Sequence, residues 1–104
     1  MLEIKIKGRT ILIPEDDIIY MESQDRKLAV YTKYGSYECY EKISVITTKL
    51  DDRFFMVHRS FVINFSYVMS YDRTQIVLAG GTIIPMSKYR YRDFVSAYLK
   101  YGSG

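Results

Sequence analysis

The feature that most constrains this chain is the rhythm of its apolar residues. They alternate with polar ones in short runs, each ended by a turn former, as in the N-terminal stretch Met1 to Lys7. A period of two sends successive side chains to opposite faces, which suits a half-buried strand and does not suit a helix. Val, Ile, Thr, Tyr and Phe fill most of the runs, with 11 Tyr and 5 Phe, and branched or aromatic side chains pack well on a pleated surface. The expected strands are Ile4 to Lys7, Thr10 to Ile13, Ile18 to Glu22, Lys27 to Thr32, Ser36 to Tyr40, Phe55 to His58, Phe61 to Ile63, Ser66 to Tyr71, Gln75 to Leu78 and Thr82 to Pro85. Short hairpin connections join them, such as Lys33-Tyr34-Gly35 and Ala79-Gly80-Gly81, in which Gly supplies the positive φ of a tight turn.

Two segments follow a helical period instead. In Glu41 to Leu50 the residues Ile43, Ile46 and Leu50 share a face, and from Lys88 to Leu99 the stripe Tyr91, Phe94, Val95 and Tyr98 falls at i, i+3, i+4 and i+7. Ser87 is placed to cap the second helix. The fold class expected is therefore mostly β, about ten short strands with a short helix near 41–50 and a C-terminal helix near 88–99. At 104 residues and 48% hydrophobic the chain can bury one core. One domain is expected over 1–101, followed by a flexible tail, Gly102-Ser103-Gly104.

Several chemistries are excluded early. One Cys and one His allow neither an intramolecular disulfide nor a four-ligand Cys/His zinc site within one chain. No nucleophile is paired by any motif with His58, and Cys39, inside Tyr37-Glu38-Cys39-Tyr40, reads as a small apolar side chain. Asp16-Asp17 and Asp51-Asp52 sit where turns or helix ends are expected and lack a spaced third carboxylate. Gly80-Gly81 has strands on both sides, unlike a phosphate-binding glycine loop, which runs from strand to helix. No catalytic residue, no metal ligand and no cofactor is assigned, and the chain is read as non-enzymatic. No apolar run approaches the roughly 20 residues of a membrane span, so a cytoplasmic, reducing location is expected.

Charge is more informative in its distribution than in its total of +3. Residues 1–52 carry 8 Lys/Arg against 10 Asp/Glu, net −2, whereas residues 53–104 carry 7 Lys/Arg against Asp72 and Asp93, net +5. The second half is the anion-facing candidate on this count. Three basic loci stand out: Gln24-Asp25-Arg26-Lys27 between two strands, His58-Arg59-Ser60 interrupting the apolar run Phe54 to Val68, and Ser87 to Arg92 at the start of the second helix. Cations in a first helical turn are unfavourable by about 0.3–1 kcal/mol each, and a bound phosphate would reverse that sign. Arg and Lys beside hydroxyl residues suit duplex DNA, where they donate to guanine edges while Ser and backbone N–H groups hold phosphates. A β module that docks an acidic protein through the same basic face is the main alternative. A single-strand binder using the tyrosines as stacking platforms ranks below it.

The landmarks Glu15-Asp16-Asp17-Ile18-Ile19-Tyr20-Met21-Glu22-Ser23, Lys42-Ile43-Ser44 leading to Leu50, Phe54 to Asn64 with its central His58-Arg59-Ser60-Phe61, and Ile84-Pro85-Met86-Ser87-Lys88 follow in a specific order. With them the chain resembles the LytTR-type DNA-binding domain of bacterial transcriptional regulators. The resemblance implies about ten strands in small antiparallel sheets and DNA binding by loops. It places base contacts at Arg26, Arg59 and Lys88, and makes Lys27, Ser60, Ser87 and Arg90 the phosphate-positioning candidates. The loop before Arg26 is short, which keeps Lys27 as an alternative in its role, and Lys88 stands where Arg is usual. The resemblance also implies the output half of a two-component response regulator behind a receiver domain, bound as a dimer to paired sites on double-stranded DNA.

Overall fold

The period-two alternation becomes three antiparallel sheets in a computed structural model of the chain, which describes residues 1–103. The strands are β1 (Leu2–Ile6), β2 (Arg9–Ile13), β3 (Ile18–Gln24), β4 (Lys27–Thr32), β5 (Gly35–Cys39), β6 (Phe54–His58), β7 (Phe61–Asn64), β8 (Val68–Tyr71), β9 (Gln75–Leu78) and β10 (Ile83–Pro85). The two helices are α1 (Ile43–Thr47) and α2 (Tyr91–Ser103). A central five-stranded sheet has the order β5-β4-β3-β7-β6, flanked by the hairpin β1-β2 and the small sheet β10-β9-β8.

The central sheet is covered on both faces, and the alternation feeds two separate cores. Met21, Leu28, Val30 and Val62 pack against Leu2, Ile4 and Ile13 of the hairpin and Ile43 and Ile46 of α1. Val57 and Ile63 pack the other way, against Ile76, Leu78 and Ile84 of the small sheet and Phe94 of α2. Two buried faces explain why Phe61-Val62-Ile63 is apolar throughout where a one-sided strand would alternate. The second core is aromatic, with Phe94 set among the rings of Phe55, Phe65, Tyr71 and Tyr98 at centroid distances of 5.0–5.9 Å.

Boundaries moved where a side chain replaced a backbone partner. The strand expected from Ser66 begins only at Val68, because Phe65–Tyr67 forms a 3₁₀ turn. Asn64 causes it: fully buried, its Nδ2 donates to the Ile18 carbonyl (2.8 Å) and its Oδ1 accepts from the Ser66 N–H (2.9 Å). One amide therefore caps the turn and anchors the start of β3. Replacing Asn64 with Ala leaves the buried Ile18 carbonyl unpaired and removes the cap on the Ser66 N–H, and is expected to cost about 2 kcal/mol. Urea denaturation reads this directly, and a loss below about 0.5 kcal/mol would mean that water replaces the amide at no cost.

Both helices are present with bounds that differ from the expected ones. α1 keeps Ile43 and Ile46 buried as expected, with Leu50 packed on the same core, but the helix itself ends at Thr47, as the β-branched Val45, Thr47 and Thr48 allow. α2 begins at Tyr91 instead of Lys88 and continues through Gly102 and Ser103, which had been assigned to a tail. Gly104 lies outside the described residues. Gly80 and Gly81, both at φ 93°, form the β9–β10 turn as expected.

Candidate nucleic-acid interface

Two of the three basic loci are two-residue hairpin turns. Gln24 pairs with Lys27 across Asp25-Arg26, and His58 pairs with Phe61 across Arg59-Ser60. Because β3 and β7 are antiparallel neighbours, with Glu22 opposite Phe61, both turns stand at the same end of the central sheet. A backbone hydrogen bond ties one to the other, the Ser23 N–H donating to the Ser60 carbonyl at 2.8 Å. The β3–β4 turn holds Asp25 at φ 58°, a left-handed position that Asp tolerates better than most side chains. In the β6–β7 turn the Ser60 N–H donates to His58 Nδ1 at 3.1 Å, and the imidazole stands edge-on to Phe61 at 5.7 Å. His58 is thus a structural cap that fixes the turn carrying Arg59, its Nδ1 accepting from the Ser60 N–H.

These short turns present their cations outward. Arg26 and Arg59 are both exposed, and among the described residues neither guanidinium takes part in a hydrogen bond or ion pair. Lys27 differs. It lies in β4, with its ammonium 3.8 Å from Glu38 and 5.9 Å from the ring centre of Tyr40.

The third locus joins the same end by a different route. After β10 the Ser87 N–H donates to the Val57 carbonyl at 2.9 Å, and Arg90 Nη1 donates to the Met56 carbonyl at 3.2 Å. Both acceptors belong to the last part of β6, so the segment is held beside the β6–β7 turn. Here the expected cap is corrected. The Ser87 hydroxyl caps nothing among the described residues, and residues 88–90 form a turn closed by the Arg90 N–H on the Ser87 carbonyl. The first helical bond runs from the Phe94 N–H to the Arg90 carbonyl. Lys88 therefore precedes the helix and Arg90 stands at its N-cap, while Arg92 is the cation of this locus that lies in the first helical turn. Lys88 is exposed, its ammonium 5.1 Å from the ring centre of the exposed Tyr89. Arg90 is half-buried and turned back on β6.

Residues 8–98 match the family model described as the LytTr DNA-binding domain. The chain belongs to this family. Sensory transduction protein LytT of Bacillus subtilis (strain 168) is 31% identical over 93 residues, covering 84% of this chain and 39% of that protein. Accessory gene regulator protein A of Staphylococcus aureus (strain N315) is 29% identical over 79 residues, 74% of this chain and 33% of that protein. This LytTr domain thus spans less than two fifths of the length of those relatives. Its fold is also that of a solved LytTr DNA-binding domain from Bacillus cereus, with a TM-score of 0.75, 21% identity, and coverage of 93% of this chain and 94% of the other.

Within the LytTr domain, charge is sorted by the ends of the central sheet more clearly than by halves of the sequence. Glu15, Asp16, Asp17, Asp51 and Asp52 lie where β3 and β6 begin, opposite the turns of Arg26 and Arg59. Arg53 bonds both Asp16 and Asp51 there, and Lys33 lies 3.3 Å from Asp17, which raises its ammonium above the ordinary lysine value. Burial pushes the Asp51 carboxyl up, but hydrogen bonds from the Arg53 backbone and guanidinium and from Glu15 outweigh it and hold the group below the usual range. Burial, reinforced by Asp51, moves Glu15 the other way. Asp16 and Asp17, read as turn residues, stand in a 3₁₀ turn before β3, and Asp51 and Asp52 precede β6; Asp16, Asp17 and Asp51 are ion-paired there. Among the described residues no group of three or more His, Cys, Asp or Glu side chains is placed to hold a metal ion, and no helix is long and apolar enough to cross a membrane. Cys39 is buried, and burial raises its thiol.

Sequence reasoning missed several residues at the turn end. Lys42 and Tyr40 share a groove with Arg26, Asp25 and Glu41 beside α1. The landmark Lys42-Ile43-Ser44 includes Lys42 without giving it a role, and no local motif marks Tyr40; both arrive because β5 ends beside the start of β4, with Cys39 opposite Leu28.

Proposed function

We propose that the turn end of the central sheet is the surface by which this domain recognises double-stranded DNA in a sequence-specific way. Arg26 and Arg59 enter grooves and read base edges, and Lys88 joins them from the segment after β10. Lys27, Ser60, Ser87 and Arg90 hold the flanking phosphates. The observation that carries this reading is the gathering of three basic segments, distant in sequence, at one sheet end, with two exposed guanidiniums that have no hydrogen-bond or ion-pair partner among the described residues. A bidentate guanidinium matches guanine O6 and N7, and a two-residue turn is stiff enough to aim it. Lys27 suits a phosphate better than a base, because its exposed contact with Glu38 is weak and is readily exchanged for a phosphate.

The biological role that follows is transcriptional regulation in the cytoplasm, as the non-enzymatic output domain of a two-component response regulator with an N-terminal receiver. The domain binds direct or inverted promoter repeats as a dimer, since one small module offers few base contacts and pairing multiplies them. Selection of bound fragments from random duplex DNA tests the reading. Enrichment of one motif, with binding that falls steeply with salt, is expected. Recovery of fragments without any shared motif would overturn sequence specificity, and absence of binding to any duplex would leave the basic end to an acidic protein.

A further inference from the structure

The β1–β2 hairpin reaches the same end of the molecule as the two arginine turns. β1 starts beside the acidic end, where the Met1 ammonium lies 4.0 Å from Glu15, and runs away from it alongside β5. Its turn, Lys7-Gly8, therefore arrives near Tyr40, and Lys5 and Lys7 share a groove with Lys27, Tyr37 and Tyr40. Leu2 and Ile4 point into the core, so the intervening Glu3, Lys5 and Lys7 are exposed. Neither Lys5 nor Lys7 has an ion-pair partner among the described residues, and Glu38, the acid in that groove, is already taken by Lys27. Lys7 also occupies a left-handed position, φ 51°, where Asn or Gly is the usual choice. A local preference has been set aside there in favour of a cation at the tip.

From this placement we infer that the β1–β2 hairpin is a second, sequence-independent DNA contact, in which Lys5 and Lys7 hold phosphates beyond those flanking the arginine turns. Strand order gives the reach. Four spacings of roughly 4.8 Å separate β6 from β5, about 19 Å, and the hairpin stands about 10 Å off one face of that sheet. The span from Lys88 past Arg59 and Arg26 to Lys7 is then roughly 21 Å, a little over half of one helical turn of duplex, about 34 Å. The β3–β4 and β6–β7 turns specify within that turn of DNA, and the hairpin lengthens the ionic footprint without adding sequence information.

The inference rests on the DNA reading of the turn end, and its test separates the two. The full chain, Lys5→Gln/Lys7→Gln, and the charge-matched control Lys49→Gln/Lys100→Gln are titrated by fluorescence anisotropy. The probes are a labelled duplex carrying the selected motif and a random duplex, from 50 to 200 mM salt. The hairpin variant is expected to lose affinity on the order of tenfold, equally on both duplexes, with a slope of log K against log salt shallower by about 1.8. The control should match the wild type. If the hairpin variant does not fold, Lys5→Gln alone should flatten the slope by about 0.9. An unchanged slope, or an equal fall in the control, overturns the hairpin contact while leaving the arginine turns standing. A wild type that binds neither duplex overturns both.

Discussion

Replacing Phe94 with Ala is expected to lower the unfolding free energy by about 4 kcal/mol, which is a large part of what a domain of this size possesses. The ring is fully buried, and four aromatic neighbours surround it, from Tyr71 at 5.0 Å to Phe55 and Tyr98 at 5.9 Å. These neighbours come from β6, the 3₁₀ turn after β7, β8 and α2 itself, so no single element can shift to fill the void. Phe94→Leu keeps most of the volume and should cost about 1.5 kcal/mol. Chemical denaturation followed by Tyr fluorescence or circular dichroism measures both. A loss below about 1 kcal/mol for Phe94→Ala would mean that α2 contributes little to the second core.

The largest functional effect is expected from Arg26→Ala/Arg59→Ala, at about 4 kcal/mol, or roughly a thousandfold, on the selected duplex. Each bidentate arginine contributes about 1–3 kcal/mol of discrimination, and readers of separate base pairs add approximately. On random duplex only the ionic share is lost, so the two affinities should converge. Stability should be unaffected, since among the described residues neither guanidinium bonds to the rest of the chain. Equal losses on selected and random DNA would show that the pair binds phosphates and reads no bases. This pattern is opposite to that expected of the hairpin lysines, so the two sets of variants check each other.

Strands were legible because alternation is a local property, and a run such as Lys27–Thr32 carries its own period. The 3₁₀ turn at Phe65–Tyr67 was not, because it depends on Asn64 finding the Ile18 carbonyl, 46 positions away. The start of α2 failed for a similar reason. Ser87 reads as a cap in isolation, but its N–H is committed to Val57, and the chain needs residues 88–90 to turn back over β6. At the candidate site the cations Arg26, Arg59 and Lys88 were visible in sequence as polar interruptions of apolar runs. The pairing of Gln24 with Lys27 then makes Asp25-Arg26 the two-residue turn, with Lys27 in the strand expected for it. The clustering of Tyr40, Lys42, Lys5 and Lys7 with them required the strand order itself. The count by sequence halves also misled, since the cations of the first half gather mainly at one end of the sheet and many of its acids at the other.

That separation of poles has a consequence for how the domain meets a polyanion. The ends are divided by strands such as β6, whose five residues span roughly 17 Å, about twice the screening length at physiological salt. Once the arginine turns are docked, the carboxylates at the far end are too well screened to oppose the complex. Under the proposed DNA reading, a molecule arriving with that end first presents carboxylates already paired with Arg53, Lys33 and the Met1 ammonium, so nothing there holds a polyanion. The sorted charge therefore leaves the dissociation rate almost untouched and biases the approaches, so that productive collisions begin at the turn end.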